Sequence, residues 1–299
     1  MSEDEFAVYQ SLGEESEDHR WAFGTGFTDP LEGVDPSVPP GVDAAALAAY
    51  CLMLGDDALI YSHRLQQWMT RLPELEEETA LANIALDLLG QARMLLARAG
   101  QAEGAASGGT GRGEDQLAFF RDEREFRNVR LAEHLDADFA ELTGRLLVFS
   151  AWRLALCTRL AGSADPVLAA IAAKSARELA YHRDYAAQWV IRLGDGTPLS
   201  HRKMQAALEV IWPLAGELFQ PDPVAARLPG VAADPADLRE EVDGVLGTVL
   251  AAATLDRPRA APLARVAGKA GRDGVHTEAF GYLLAELQSV ARAHPDATW

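Results

Sequence analysis

Glu178 and His182 stand four residues apart in SARELAYHRDYAAQWV, a spacing that places both near one face of a helix. His182 falls inside an apolar stripe of Leu168, Ile171, Ala172, Ser175, Leu179, Ala186, Trp189, Val190 and Leu193, with Glu178 at its edge. A carboxylate and an imidazole on the inner face of a long helix are the groups a metal-binding bundle uses. They are also what a buried histidine with a satisfying partner looks like. Asp57 and Asp87 fall at the edges of the apolar lines of two other helices.

A di-iron bundle needs one carboxylate from each of four helices, two of them followed by histidine three residues on. Gly90 stands at that distance from Asp87, and Tyr181 from Glu178. His182 is one position later, turned by about 100° from the required place. The third long helix offers Thr143, Ser150 and Cys157 at seven-residue intervals and no carboxylate. No E-x-x-H occurs in the chain. The four groups Asp57, Asp87, Glu178 and His182 therefore read as degenerate remnants, with no catalytic, cofactor-binding or metal residue expected. The expected arrangement is a buried Glu178–His182 pair, with Asp87 satisfied by Asn83 or Arg93. Weak binding of one metal through Glu178 and His182 is the alternative.

Other chemistries find less support. His19, His63, His134, His201 and His294 are isolated, and His276 follows Asp273 by three residues with no third ligand in reach. Cys51 and Cys157 lie in apolar helical stretches without a neighbouring base, and read as core residues in a reducing compartment. No G-x-S-x-G occurs, and the glycine-rich run GQAEGAASGGTGRGE follows no strand and lacks G-K-[ST].

The elements that would position these residues are all helical. Asp43 opens a helix to about Leu72, and Pro73 separates it from a second helix that runs to Gly100. The short link makes the two an antiparallel hairpin. Gly100–Glu114 reads as a flexible loop, and QLAFFRDEREFRNVRLAEH as a short helical piece whose paired charges form a solvated face. Helices at Asp136–Leu160 and Asp165–Gly194 complete a four-helix core. Ser200 caps a helix to Phe219 with a kink at Trp212-Pro213, Asp234-Pro235 opens one to about Leu255, and Thr277–Ala293 is the last. No stretch alternates as a strand would. The fold class is all-α, a ferritin-like four-helix bundle with additional packed helices, its core helices about 40 Å long.

The 299 residues carry a net charge of −18, which argues against nucleic acid and anionic membranes as partners. Residues 1–42 hold ten acidic side chains against Arg20 alone, with several Pro and Gly, and read as an acidic, disordered N-terminal extension to a single domain over 43–299. The acidic beginning is unlike a secretory leader, and no stretch approaches a membrane span of about 20 apolar residues. A cytoplasmic protein is expected.

ALANIALDLLGQARMLL, LAFFRDEREFRN, AYHRDYAAQWVIRLGDGT and GVHTEAFGYLLAELQ, together with the terminal Trp299, resemble the C subunits of bacterial ring-1,2-phenylacetyl-CoA epoxidase. The resemblance covers roughly residues 47–299. It implies a structural, non-catalytic subunit of a multicomponent oxygenase of aerobic phenylacetate degradation. Its implied partners are a homologous catalytic A subunit that holds the di-iron centre, a small B subunit, and a reductase with NADPH, FAD and a 2Fe–2S cluster. Alone, the chain could form a homodimer. An active di-iron oxidase with atypical ligands and an unrelated helical adaptor are the competing readings.

Overall fold

The Asp43 carboxylate accepts a hydrogen bond from the Ala46 amide at 3.0 Å, and helix α1 (Ala44–Gln66) begins from that cap. The computed structural model describes residues 31–72 and 74–297. Helix α2 (Leu75–Ser107) starts with Glu76, Glu77 and Glu78 in its first turn, where anions favour the helix dipole. Asp138 caps α3 (Phe139–Leu160), and Asp165 with Pro166 opens α4 (Pro166–Gly194). Helices α5 (Pro198–Ala215), α6 (Arg239–Ala252) and α7 (Glu278–Ala293) follow. Among the described residues no strand forms, and a lone antiparallel bridge joins Val266 to Lys269.

Two hairpins, α1–α2 and α3–α4, make the four-helix core of an all-α, ferritin-like architecture. The expected inner lines are buried: Leu47, Cys51, Leu54, Ala58, Tyr61, Leu65 and Trp68 on and just beyond α1, and Leu81, Ile84, Ala85, Leu88, Ala92 and Leu95 on α2. Tyr61 of α1 meets Phe149 of α3 across the core, ring centroids 4.3 Å apart. Helix α5 packs on α3 and α4, α6 lies against the same pair, and α7 covers the 114–133 connection and one end of α1.

Several local expectations are corrected. Helix α2 continues through Gly100 and Gly104 to Ser107, because the returning loop lies directly on its last turns. A Cβ at Gly100 would sit 1.9 Å from the Arg112 carbonyl oxygen, so glycine serves close approach there rather than flexibility. The cap of α5 is Thr197, with Ser200 as the reciprocal member of its capping box, since Pro198 takes the first helical position. The 114–133 connection is not one helix. It divides into Glu114–Phe119, a 3₁₀ turn at Glu123–Glu125 and Arg130–Glu133.

Only part of the charge on that connection forms a solvated face: Asp122, Glu123, Arg124 and Glu125 are exposed. Arg121, Asn128, Arg130 and Glu133 are buried. Arg121 pairs with Asp56 (Nη1–Oδ2 3.0 Å), and Arg130 with Glu217 (3.0 Å). Glu133 accepts from the Asn128 side chain (2.8 Å), from the Thr277 amide (2.6 Å) and at 2.7 Å from His276, for which the sequence offers only Asp273 nearby. Burying these charges requires partners on every side, and the turned backbone supplies them. Two more buried pairs, Arg98–Asp165 and Arg145–Asp136, tie α2 to the cap of α4 and anchor α3. Arg98 also donates to the carbonyls of Pro36 and Ser37, fixing part of the acidic segment; residues 1–30 of that segment lie outside the described residues.

By length and composition α1 and α2 are apolar enough to cross a membrane, a property expected of no stretch from the sequence. The apolar window of α1 is 78% buried within the protein, as a core helix requires, but that of α2 is only 44% buried.

Candidate functional site

A row of polar residues lies along the seam where α2 and α4 run antiparallel. Glu77 of α2 accepts from the Tyr185 hydroxyl and from Trp189 Nε1 (2.8 Å) on α4. Further along α2, Asp87 Oδ2 meets His182 Nε2 at 2.9 Å. One turn beyond that, Gln91 Nε2 donates to Glu178 Oε2 at 3.1 Å. The pairs form a ladder because residues four apart share a face on both helices, and opposite directions match 87 with 182 and 91 with 178.

The expected Glu178–His182 pair is therefore not formed. Each side chain reaches across the seam to α2, and Glu178 takes Lys174 as its ion partner on its own helix. Asp87 is satisfied by His182 rather than by Asn83 or Arg93; Arg93 pairs with Glu114 at 2.8 Å. Asp57 is fully buried instead of lying at an edge. Arg272 neutralises it (2.7 Å), and the Val129 amide donates to it at 2.9 Å. Burial nonetheless pushes the Asp57 carboxyl above the usual range, the guanidinium of Arg272 offsetting only part of the effect.

Helix α3 contributes a residue that was not among the sequence candidates. Thr143 and Ser150 spend their hydroxyls on backbone carbonyls of their own helix, and Cys157 is buried. The group that reaches the seam is Arg153, buried, its Nε donating to Gln91 Oε1 at 2.9 Å and its Nη2 to the Leu54 carbonyl of α1 at 3.2 Å. No carboxylate among the described residues pairs with it, and its Nη1 has no acceptor there. The sequence does hold a signal, since Arg153 interrupts the apolar run LLVFSAWRLALC with no acid within helical reach.

This donor set does not fit a di-iron centre. Across the seam α2 supplies Asp87 and an amide, α4 supplies Glu178 and His182, α3 supplies a cation, and the α1 carboxylate is engaged by Arg272. Lys174 already neutralises Glu178. Elsewhere, His134, Asp136 and Glu141 lie close enough together to suggest a metal. Their ligand atoms are taken: Arg145 holds Asp136 (Nε–Oδ1 2.7 Å), and Glu141 accepts from His134 at 3.2 Å and from the Ala137 amide at 2.9 Å. Burial pushes the Cys51 thiol up to about 12 and the Cys157 thiol up to about 11, so neither is a nucleophile near neutrality.

The apolar surface of α2 bears on what the protein meets. Leu86 of α2 is 60% exposed and Tyr181 of α4 is 51% exposed, both beside the polar ladder. Gly90 lies in the same stretch of α2, and a Cβ there would meet nothing within 4 Å. Glycine inside a helix is destabilising, and nothing in this chain's own packing requires it.

Residues 34–299 match the family described as phenylacetic acid catabolic protein. Over 255 residues the chain is 42% identical to the C subunit of the 1,2-phenylacetyl-CoA epoxidase of Escherichia coli strain K12, an alignment covering 85% of this chain and 99% of that protein.

Proposed function

Because this chain belongs to the phenylacetic acid catabolic protein family, we propose that it is the structural subunit of a 1,2-phenylacetyl-CoA epoxidase complex, itself non-catalytic. The observation that carries this reading is Arg153. A guanidinium is what α3 brings to the seam, where a di-iron bundle needs a carboxylate from each helix. In this reading the di-iron centre belongs to a homologous catalytic A subunit. A small B subunit and a reductase with NADPH, FAD and a 2Fe–2S cluster complete a cytoplasmic assembly.

The half-unburied apolar window of α2, with Leu86, Gly90 and Tyr181 beside it, supports a permanent helical partner. Interfaces of that kind cover about 2,000 Å² or more. The contribution of this chain is preorganisation: its two hairpins, locked by buried ion pairs, hold the partner's helices at fixed spacing. The experiment expresses the A subunit with and without this chain and follows phenylacetyl-CoA oxygenation with reductase present. The A subunit alone should lose solubility or most of its activity. Full activity without this chain, or turnover by this chain alone, overturns the proposal.

A further inference from the structure

All four core helices meet at one side chain. Arg153 rises from α3, donates to Leu54 O of α1 and to Gln91 of α2, and through the Gln91 amide is linked to Glu178 of α4. A metal ion in a bundle makes the same connection, one group from each helix converging on a positive charge. We propose that Arg153 is a built-in cation that takes the structural part of a metal centre, and that its charge keeps divalent metals out of the seam. This role depends on the side chains alone, whichever complex the chain enters.

Charge balance supports it. Four carboxylates around a di-iron site carry an excess of negative charge that the metal ions neutralise. Here Glu178 faces Lys174 and, through Gln91, Arg153, while Asp87 faces His182. No net negative charge is left over. A guanidinium stays protonated at every physiological pH, so its repulsion of a second cation is permanent, and in a buried site it is weakly screened. Space is limiting as well: the cavity that Arg153 lines with Leu54, Cys157 and Ser175 holds about 10 Å³, room for no more than a water.

The test titrates the full-length protein with Mn²⁺, followed by electron paramagnetic resonance of the free ion. Wild type should leave the Mn²⁺ signal unchanged. The double variant Arg153→Ala/Gln91→Glu removes the cation and presents three carboxylates and an imidazole, and should take up at least one Mn²⁺ per chain. Stoichiometric binding by wild type that Glu178→Ala abolishes overturns the proposal, as does a folded double variant that binds none. Arg153→Lys and Arg153→Met supply an independent reading by thermal melting. The methionine variant should melt about 5 °C or more below wild type, with the lysine variant between them because it keeps the charge. A lysine variant no more stable than the methionine variant, or a methionine variant as stable as wild type, also overturns it.

Discussion

Asp56 and Asp57 are neighbours in sequence, both fully buried, and they leave α1 toward different partners. Asp56 takes Arg121 and the Arg127 amide (2.8 Å), while Asp57 takes Arg272 and the Val129 amide. Removing one member of such a pair strands a charge in the core, which costs about 3–5 kcal/mol, whereas removing both costs much less. Arg272→Met should therefore lower the urea midpoint sharply, and Asp57→Asn in the same chain should recover a large part of the loss. A double variant as unstable as the single one would show that Arg272 acts through something other than Asp57. His63 titrates with the opposite bias. Burial depresses its pKa below the ordinary 6.5, so the folded chain holds the ring neutral where the unfolded chain would protonate it. That preference is fully stabilising above pH 6.5 and is lost as pH falls through the folded-state value. The melting temperature of His63→Gln should thus decline less than that of wild type between about pH 7 and 5.5; parallel curves would exclude the histidine as the source.

The helices were legible in the sequence because their caps and apolar spacing are local: Asp43, Asp165 and Asp234 each accept from the amides that follow them, while α3 starts at the Asp138 cap, two residues after the expected Asp136. What was not legible depends on how one helix is placed on another. Glu178 and His182 were recognisable as inward-facing polar groups, but their partners Gln91 and Asp87 follow from the register of α4 against α2, which no local pattern carries. The 114–133 connection failed for the same reason, since its charges look solvated until the acids of α1 and the turn at 216–219 come to meet them. Glycine makes the distinction testable. Gly100→Ala places a methyl against the Arg112 carbonyl and should destabilise the chain by about 1–3 kcal/mol. Gly90→Ala meets open space and should stabilise the isolated chain by about 0.5–1 kcal/mol. Chemical denaturation of both variants measures the two signs, and a destabilised Gly90→Ala would mean that the helix surface there is already covered.

At the scale of the whole molecule, several buried charges depend on partners far away in the sequence. Arg272 reaches Asp57 across 215 residues, His276 and the Thr277 amide reach Glu133 across 143 and 144, and Arg64 donates to the Ala279 carbonyl. A chain stopped after Gly268 would contain all four core helices yet leave Asp57 and Glu133 without these partners. Such a chain should be cut rapidly by protease where the full protein resists; equal resistance would show that the bundle closes without its C-terminal part. The same arrangement has a consequence on the ribosome. At about 5–20 residues per second, the 215 residues between Asp57 and Arg272 take about 10–40 s to synthesise. Throughout that interval the nascent hairpin carries Asp57 without the guanidinium that neutralises it in the finished core. By this reasoning the α1–α2 hairpin, although made first, should be completed only when translation of the chain is almost over.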